Sequence, residues 1–420
     1  MDAALNAIAR GGVEGDSVNL ILRKARSAWR RANGPLVAAR EKREKAHLYT
    51  ALHSNLDPGV HLIEAAAWLC RAQDFGSDRG VSYGADFGRG FLTSYPETTG
   101  YIICTFLDLA RHYGSDEYLR RAVEMGEWEA SVQMDCGAPA NYLNNPVPAL
   151  FDTGMVLLGW SALYRHTGSE VFARAAARAG EWMVSIQEPS GHWTRGNDHG
   201  YAHPTATLYN VKAAWGLAEA GRVFGNSGFI AAAVRNAEYT LTRQLSNGWF
   251  EECCLTDPKR PLLHTIAYTM QGLMGIGKLT GREDFIRAAA LTADSLKRLM
   301  DPHGYIPGRI NRRLNGVVDW SCLTGTAQTS IVWSELAALM GNRDYLDAAD
   351  LANRYLMARH DISSSDSSIR GGLAGSWPVR GNTGDIRSSI GRSNSSWTRC
   401  SPALRRPILR QCRAGETSGL

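Results

Sequence analysis

A glycine, followed four residues later by an aromatic and four after that by alanine, recurs five times along the chain: Gly114/Tyr118/Ala122, Gly168/Phe172/Ala176, Gly225/Phe229/Ala233, Gly281/Phe285/Ala289 and Gly341/Tyr345/Ala349. The intervals of 54, 57, 56 and 60 residues are those of an array built from one supersecondary unit. A glycine that ends an apolar helical run suits the left-handed position after a helix, and the polar residues behind it begin the next one. The aromatic and the alanine fall one turn apart on a single face, where they can pack on a neighbour. Before each glycine lies a helix apolar on nearly every side, such as YIICTFLDLARHY, MVLLGWSALYRHT or IAYTMQGLMGIGKLT; after it comes an amphipathic one such as EYLRRAVEMGEWEASVQ. A helix apolar all round has to be buried and an amphipathic one half-exposed. The pattern predicts an inner and an outer ring, an all-α (α/α)6 toroid or six-hairpin barrel over residues 57–381.

Five complete pairs leave one outer helix, GVHLIEAAAWLCRAQD at 59–74, without an inner partner. A sixth inner helix belongs after residue 381, yet residues 382–420 show no helical period and are rich in Ser and Arg. With synonymous codons chosen from Gly381 onward, another reading frame yields an amphipathic helix there. Residues 382–420 are therefore expected to be a disordered, frameshifted tail, leaving the toroid incomplete at its C-terminus, and residues 1–56 an N-terminal helical extension. The same tail carries seven arginines against Asp385 and Glu416, which accounts for the whole net charge of +5. The rest of the chain is neutral, so no nucleic-acid partner is expected. With 44% hydrophobic and 21% charged residues in 420, the chain can bury a large core. No window is long and apolar enough to span a membrane, and the opening MDAALNAIARGG lacks the basic-then-apolar pattern of a signal peptide. The eight cysteines form no CxxC or Cys/His zinc spacing, so neither a metal nor another cofactor is expected, and reduced core cysteines fit a cytoplasmic location.

Turns from inner to outer helices are short, whereas the outer-to-inner connections, such as 76–95, 189–203 and 301–321, are long and rich in aromatics. They crowd the end of the barrel at which the inner helices begin. Polar residues recur at those helix starts: Glu97 and Thr99, Asp152 and Thr153, Thr207 and Tyr209, His264 and Thr265, Thr324 and Gln328. Thr and Asp serve equally well there as N-caps, and the polar groups as buried ties between helices. The segment GHWTRGNDHGYAHPTATLY gathers more than capping needs, with Trp193, Arg195, Asp198, His199, Tyr201, His203 and Tyr209 in one loop and helix start. Rings stack on sugar faces while carboxylates, amides and Arg bind hydroxyls or uronate groups, a composition that suits a groove for an oligo- or polysaccharide. His199 and His203 have the spacing of a helical metal pair, but Gly200 and Pro204 argue against the helix it requires. Acid–base chemistry on a glycoside takes two carboxylates, or a carboxylate with Tyr or His, flanking one bond. Glu97 and Asp152 supply the carboxylates, and His264 and Tyr268, one turn apart on an inner helix, can neutralise or abstract a proton. These four are the catalytic candidates; Tyr83, Tyr95, Trp193, Asp198, His199, His203, Tyr209, Arg309 and Trp320 are the substrate-binding ones.

The strings VSYGADFGRGFLTSYPETTGYIICTFLDLA, NGWFEECCLTDPKRPLLHTIAYTMQGL and DWSCLTGTAQTSIVWSEL resemble VpsJ-like polysaccharide biosynthesis proteins, which occur with bacterial exopolysaccharide genes. The resemblance runs from about residue 60 to 380 and is most specific in SYPETTGY and HTIAY; the alternative-frame tail is similar to the end of such proteins. It places Tyr95, Glu97, His264 and Tyr268 in the matching motifs. It implies a place in exopolysaccharide biosynthesis, with a polysaccharide-synthesis complex as a candidate partner, and carries no particular reaction; hydrolysis, elimination and epimerisation of a glycan are all open to the candidate residues. The architecture it implies is similar to that of unsaturated-uronyl hydrolases, glucuronyl epimerases and N-acylglucosamine epimerases. A non-catalytic glycan-binding or scaffold protein, or an inactive truncated copy, stands as the alternative. Lipid cyclases share such toroids but carry a DxDD acid motif, which this sequence lacks.

Overall fold

A computed structural model describes residues 56–378, apart from 87–89, 142–145 and 198–202. The expected N-terminal extension, up to residue 55, and the expected frameshifted tail lie outside the described residues. Eleven α-helices follow one another: α1 (Pro58–Asp74), α2 (Pro96–Tyr113), α3 (Asp116–Ser131), α4 (Leu150–Thr167), α5 (Glu170–Ser185), α6 (Val211–Phe224), α7 (Ser227–Thr242), α8 (Leu263–Thr280), α9 (Glu283–Leu299), α10 (Leu323–Met340) and α11 (Arg343–Met357). Two short antiparallel ribbons decorate the loops, β1 (Ala85–Asp86) with β2 (Gly90–Phe91) and β3 (Ser321–Cys322) with β4 (Ser376–Trp377). The even-numbered helices pack side by side in sequence order and are buried along most of their length. Each odd-numbered helix from α3 onward lies outside the inner helix before it. The fold is the (α/α)6 toroid. No helix among the described residues is long and apolar enough to cross a membrane.

The repeat motif has a mechanical role at each of its positions. Gly114, Gly168, Gly225, Gly281 and Gly341 end the inner helices with φ between 60° and 72°, the left-handed cap that only glycine adopts without strain. A Cβ at any of them meets nothing within 4 Å, so the requirement is purely conformational. Gly168→Ala is accordingly expected to lower stability by about 1 kcal/mol in urea unfolding, with helix content unchanged. The aromatic of one outer helix sits over a small residue of the one before it: Phe172 against Gly126 of α3, and Phe229 against Gly180 of α5. Indole N–H groups tie the rings together radially, Trp160 to the Gly126 carbonyl at 3.1 Å and Trp333 to the Ala293 carbonyl at 3.0 Å.

The inner ring is closed up by glycines that the repeat did not reveal. A Cβ on Gly100 of α2 would fall 2.7 Å from the Val156 backbone of α4, and one on Gly154 of α4 would strike Ala213 of α6. Gly272 of α8 lies against the amide of Lys212 at 2.6 Å, and Gly325 of α10 against that of His264 at 2.6 Å, both measured from the missing Cβ. Every junction between successive inner helices is thus a contact of backbone on backbone.

The outer ring closes through its loops. Gly137, Gly191, Gly248 and Gly304 have positive φ, and each rests on the backbone of the next outer helix, at Arg178, Arg235, Leu291 and Leu351. Gly371, after α11, makes the same contact with Glu64 of α1. The helix left over in the sequence count therefore holds the sixth outer place. Eleven residues beyond the first three repeat alanines stand Gln133, Gln187 and Gln244, whose amides donate to Ala175, Ala232 and Ala288 carbonyls on the next outer helix, each at 2.8 Å. At the closing seam His360 occupies this position and meets buried His61 of α1, Nδ1 to Nδ1 at 2.9 Å. The Trp68 indole adds a hydrogen bond to the Ser368 carbonyl at 2.7 Å.

Candidate active site at the inner-helix N-termini

The inner helices begin earlier than the capping reading placed them. Pro96 and Leu150 are the first residues of α2 and α4, and the preceding Tyr95 and Ala149 give no side-chain cap. Proline at position 96 is pre-set for a first helical turn, and the two helix starts leave Thr99 and Thr153 one turn inward. Their hydroxyls donate back to the Tyr95 carbonyl at 2.9 Å and the Ala149 carbonyl at 2.7 Å, so they are not N-caps. Thr207 does not cap α6 either; a 3-10 turn, Leu208–Asn210, intervenes, and its hydroxyl faces His192 Nε2 at 3.2 Å. Glu97 and Asp152 lie in first turns, where the aligned N–H groups favour a carboxylate, and both are buried. The Tyr95 hydroxyl donates to Asp152 Oδ2 at 3.1 Å and so links two neighbouring helix starts.

Aromatic rings continue this cluster across the mouth. Phe151 lies 5.5 Å from the ring of Tyr209 and 4.9 Å from that of Tyr268, and His264 meets Tyr268 edge-on at 5.5 Å. Burial pushes the Tyr209 phenol far above its ordinary range, with Cys253, Asp152 and Glu97 among the neighbours that reinforce the shift. Both candidate carboxylates therefore act electrostatically on one phenol, which stays protonated and available as a donor.

Two chemically active groups at this end escaped the sequence reading. Lys212, in the first turn of α6, is 8% exposed; its ammonium donates to Gln271 Oε1 at 2.9 Å and lies 4.2 Å from the Tyr268 ring centroid and 5.9 Å from that of Tyr101. The i, i+3 steps Tyr209/Lys212 and Tyr268/Gln271 on adjacent inner helices were the available signal. Glu129, on outer helix α3, is completely buried, and neither carboxyl oxygen has a hydrogen-bond partner among the described residues. Burial, then the charge of Asp152, raises it well above the usual carboxylate range and so favours its neutral form.

The remaining candidates separate by depth. Tyr83 is half-buried, its ring 5.9 Å from that of Tyr95, and extends the mouth cluster outward. Trp193 is fully buried, its indole bonded to the Met183 carbonyl at 2.9 Å, and it packs the core beneath the loop. Arg309 is pinned by the Arg260 carbonyl at 2.7 Å and Thr256 Oγ1 at 2.8 Å, which makes it a tie between loops. Trp320 is buried over Gly308. His203 accepts from the amides of Thr205 and Ala206 at 3.3 and 3.2 Å and so organises its own turn. Asp198 and His199 lie outside the described residues. Among the described residues no group of three or more His, Cys, Asp or Glu side chains is placed to hold a metal ion.

No protein-family model matches the chain. A probable squalene–hopene cyclase of Sinorhizobium fredii is 39% identical over 57 residues, a match that spans 14% of this chain and 9% of that protein. Among solved structures, an unsaturated glucuronyl hydrolase specific for heparin superposes with a TM-score of 0.64 at 14% identity, covering 84% of this chain and 97% of that one. A cellobiose 2-epimerase from Bacillus thermoamylovorans gives 0.63 at 11% identity, covering 81% and 95%. A D-mannose isomerase gives 0.63 at 12%, covering 85% and 98%. Likeness at these identities establishes the architecture: this chain shares the (α/α)6 toroid of those three enzymes.

Proposed function

We propose that the protein is a glycan-modifying enzyme of exopolysaccharide biosynthesis, acting on an oligo- or polysaccharide by hydrolysis, elimination or epimerisation at the inner-helix mouth. The observation that carries the reading is the convergence there of Glu97 and Asp152 with Tyr95, Tyr209, His264 and Tyr268, supplied by helix starts that are far apart in sequence. In hydrolysis one carboxyl group protonates the glycosidic oxygen while the other activates water or attacks the sugar. In elimination or epimerisation a base removes a proton from a sugar carbon, a task open to a carboxylate or to Tyr268. The sugar chemistry in the names of the three structural neighbours supports the substrate class, and the SYPETTGY and HTIAY segments support the exopolysaccharide setting.

The test is glycan-array binding followed by product analysis on each hit. Asp152→Asn and Glu97→Gln are each expected to reduce turnover by about 10²–10⁴-fold with glycan binding retained. Turnover at the wild-type rate in both variants would exclude this site, and wild-type binding without any product would identify a glycan-binding scaffold instead.

A further inference from the structure

The structure brings a thiol and an imidazole together on the backbones of two inner helices. Cys322 precedes α10 and caps it, its sulfur accepting from the Gly325 amide at 3.4 Å. The same sulfur lies 3.7 Å from Nδ1 of His264, in the first turn of α8. Gly325 makes the approach possible, because a Cβ there would fall 2.6 Å from the His264 nitrogen and 2.8 Å from the Leu263 carbonyl carbon. The pair is therefore fixed by helix packing, with little freedom to separate.

The location of the shared hydrogen follows from what surrounds the sulfur. Burial pushes the Cys322 thiol up to about 11, against the opposing pull of the Gly325 and His264 amides and of Arg309, so it keeps its proton at neutral pH. The Gly325 amide points its N–H at the sulfur at 3.4 Å, and the His264 and Thr324 amides favour the same acceptor role electrostatically. A sulfur already accepting from an N–H group has a single hydrogen left to place, and the ring nitrogen beside it is the acceptor at hand. We infer that Cys322 donates to Nδ1 of His264 and holds the neutral imidazole as the tautomer protonated on Nε2. Cys322 is thus a positioning residue. With Nδ1 occupied, His264 presents an N–H at Nε2 and acts on a sugar oxygen as a donor, while proton abstraction falls to a carboxylate or to Tyr268.

The inference rests on the proposed function only in taking His264 as a site residue, and its test needs no substrate. In full-length protein with 15N-labelled histidine, and with the His264 signals assigned by their loss in His264→Ala, the wild type is expected to show a protonated Nε2 and an unprotonated Nδ1. Cys322→Ala is expected to shift the tautomer ratio toward Nδ1–H by about fivefold, the ratio that one neutral hydrogen bond sustains. Cys322→Ser, which keeps both cap and donor, should restore it. A wild-type proton on Nδ1, or a ratio indifferent to Cys322→Ala, would overturn the inference. Should Cys322→Ala not fold, the wild-type and serine spectra still decide it. A correct tautomer in a protein that turns over no glycan would defeat the proposed function alone.

Discussion

Gly154→Val is expected to abolish the folded ring, with the variant insoluble or melting on the order of 10 °C or more below wild type by circular dichroism. The added Cβ would run into Ala213, whose Cα, Cβ and carbonyl oxygen crowd that spot, and a Cβ on Gly216 of α6 would likewise fall on the Gly154 carbonyl, so the two backbones are in close approach here. These atoms are backbone or a Cβ, near the starts of two buried helices, so no rotamer change relieves the clash. Nor can α4 retreat, because Gly159 on its other face lies against the Gly100 carbonyl of α2. Overpacking costs about 1–3 kcal/mol where side chains can adjust, and more where they cannot. A domain stable by about 5–15 kcal/mol does not absorb that at every contact along a ring. The contrast with the mild Gly168→Ala change separates a steric need for glycine from a conformational one; an unperturbed Gly154→Val melt would mean that the inner helices do not meet in this way.

Acid should open the seam between α11 and α1. Burial holds His360 down to about 3, with a backbone contact at Gly371 opposing and the facing His61 contributing to the depression. An unfolded histidine titrates near 6.5. The folded state therefore refuses a proton that the unfolded state accepts: above about pH 6.5 nothing is lost, and stability falls as the pH drops from 6.5 toward 3. At pH 4 the loss attributable to this residue is about 3 kcal/mol. His360→Gln is the informative replacement, since Gln133, Gln187 and Gln244 hold the equivalent place at other junctions. Urea unfolding at pH 7.5 and pH 4 should show the variant losing markedly less stability than wild type. Equal losses in the two proteins would assign the acid sensitivity to other groups.

The ring architecture was legible in the sequence because its determinants are local and repeat. Each of Gly114, Gly168, Gly225, Gly281 and Gly341 caps a helix in the left-handed conformation that its position implied. The placement of the candidate residues was legible in part: Glu97, Asp152 and His264 lie in first turns and Tyr268 one turn further in, since a step of about one repeat carries each first turn to the same end of the barrel. Depth was not legible. Trp193 and Arg309 sit in two separate loops rich in groove-like residues, but their polar atoms are engaged by the Met183 and Arg260 carbonyls. Lys212 and Glu129 went unnoticed because a charged side chain on a helix is ordinarily solvated, and only the packing of neighbouring helices shows which of them is enclosed. The capping thiol of Cys322 was invisible for the same reason, since its partner lies on another repeat.

Closure at the seam also dictates the order in which the molecule can assemble. Gln133 reaches an outer helix 42 residues away, whereas His61 and His360 are separated by 299 positions. Bringing ends together across that span costs about 2 kcal/mol more loop entropy than the local junctions do. The hairpins from α2 to α11 can therefore form one after another as the chain leaves the ribosome. Helix α1 is made before any of them, yet the side it turns to the seam, with His61 and Ala65, gains its cover only when α10, the end of α11 and residues 360–373 arrive. Throughout synthesis that face is sticky, and it is where a chaperone, or a second nascent chain, would first take hold.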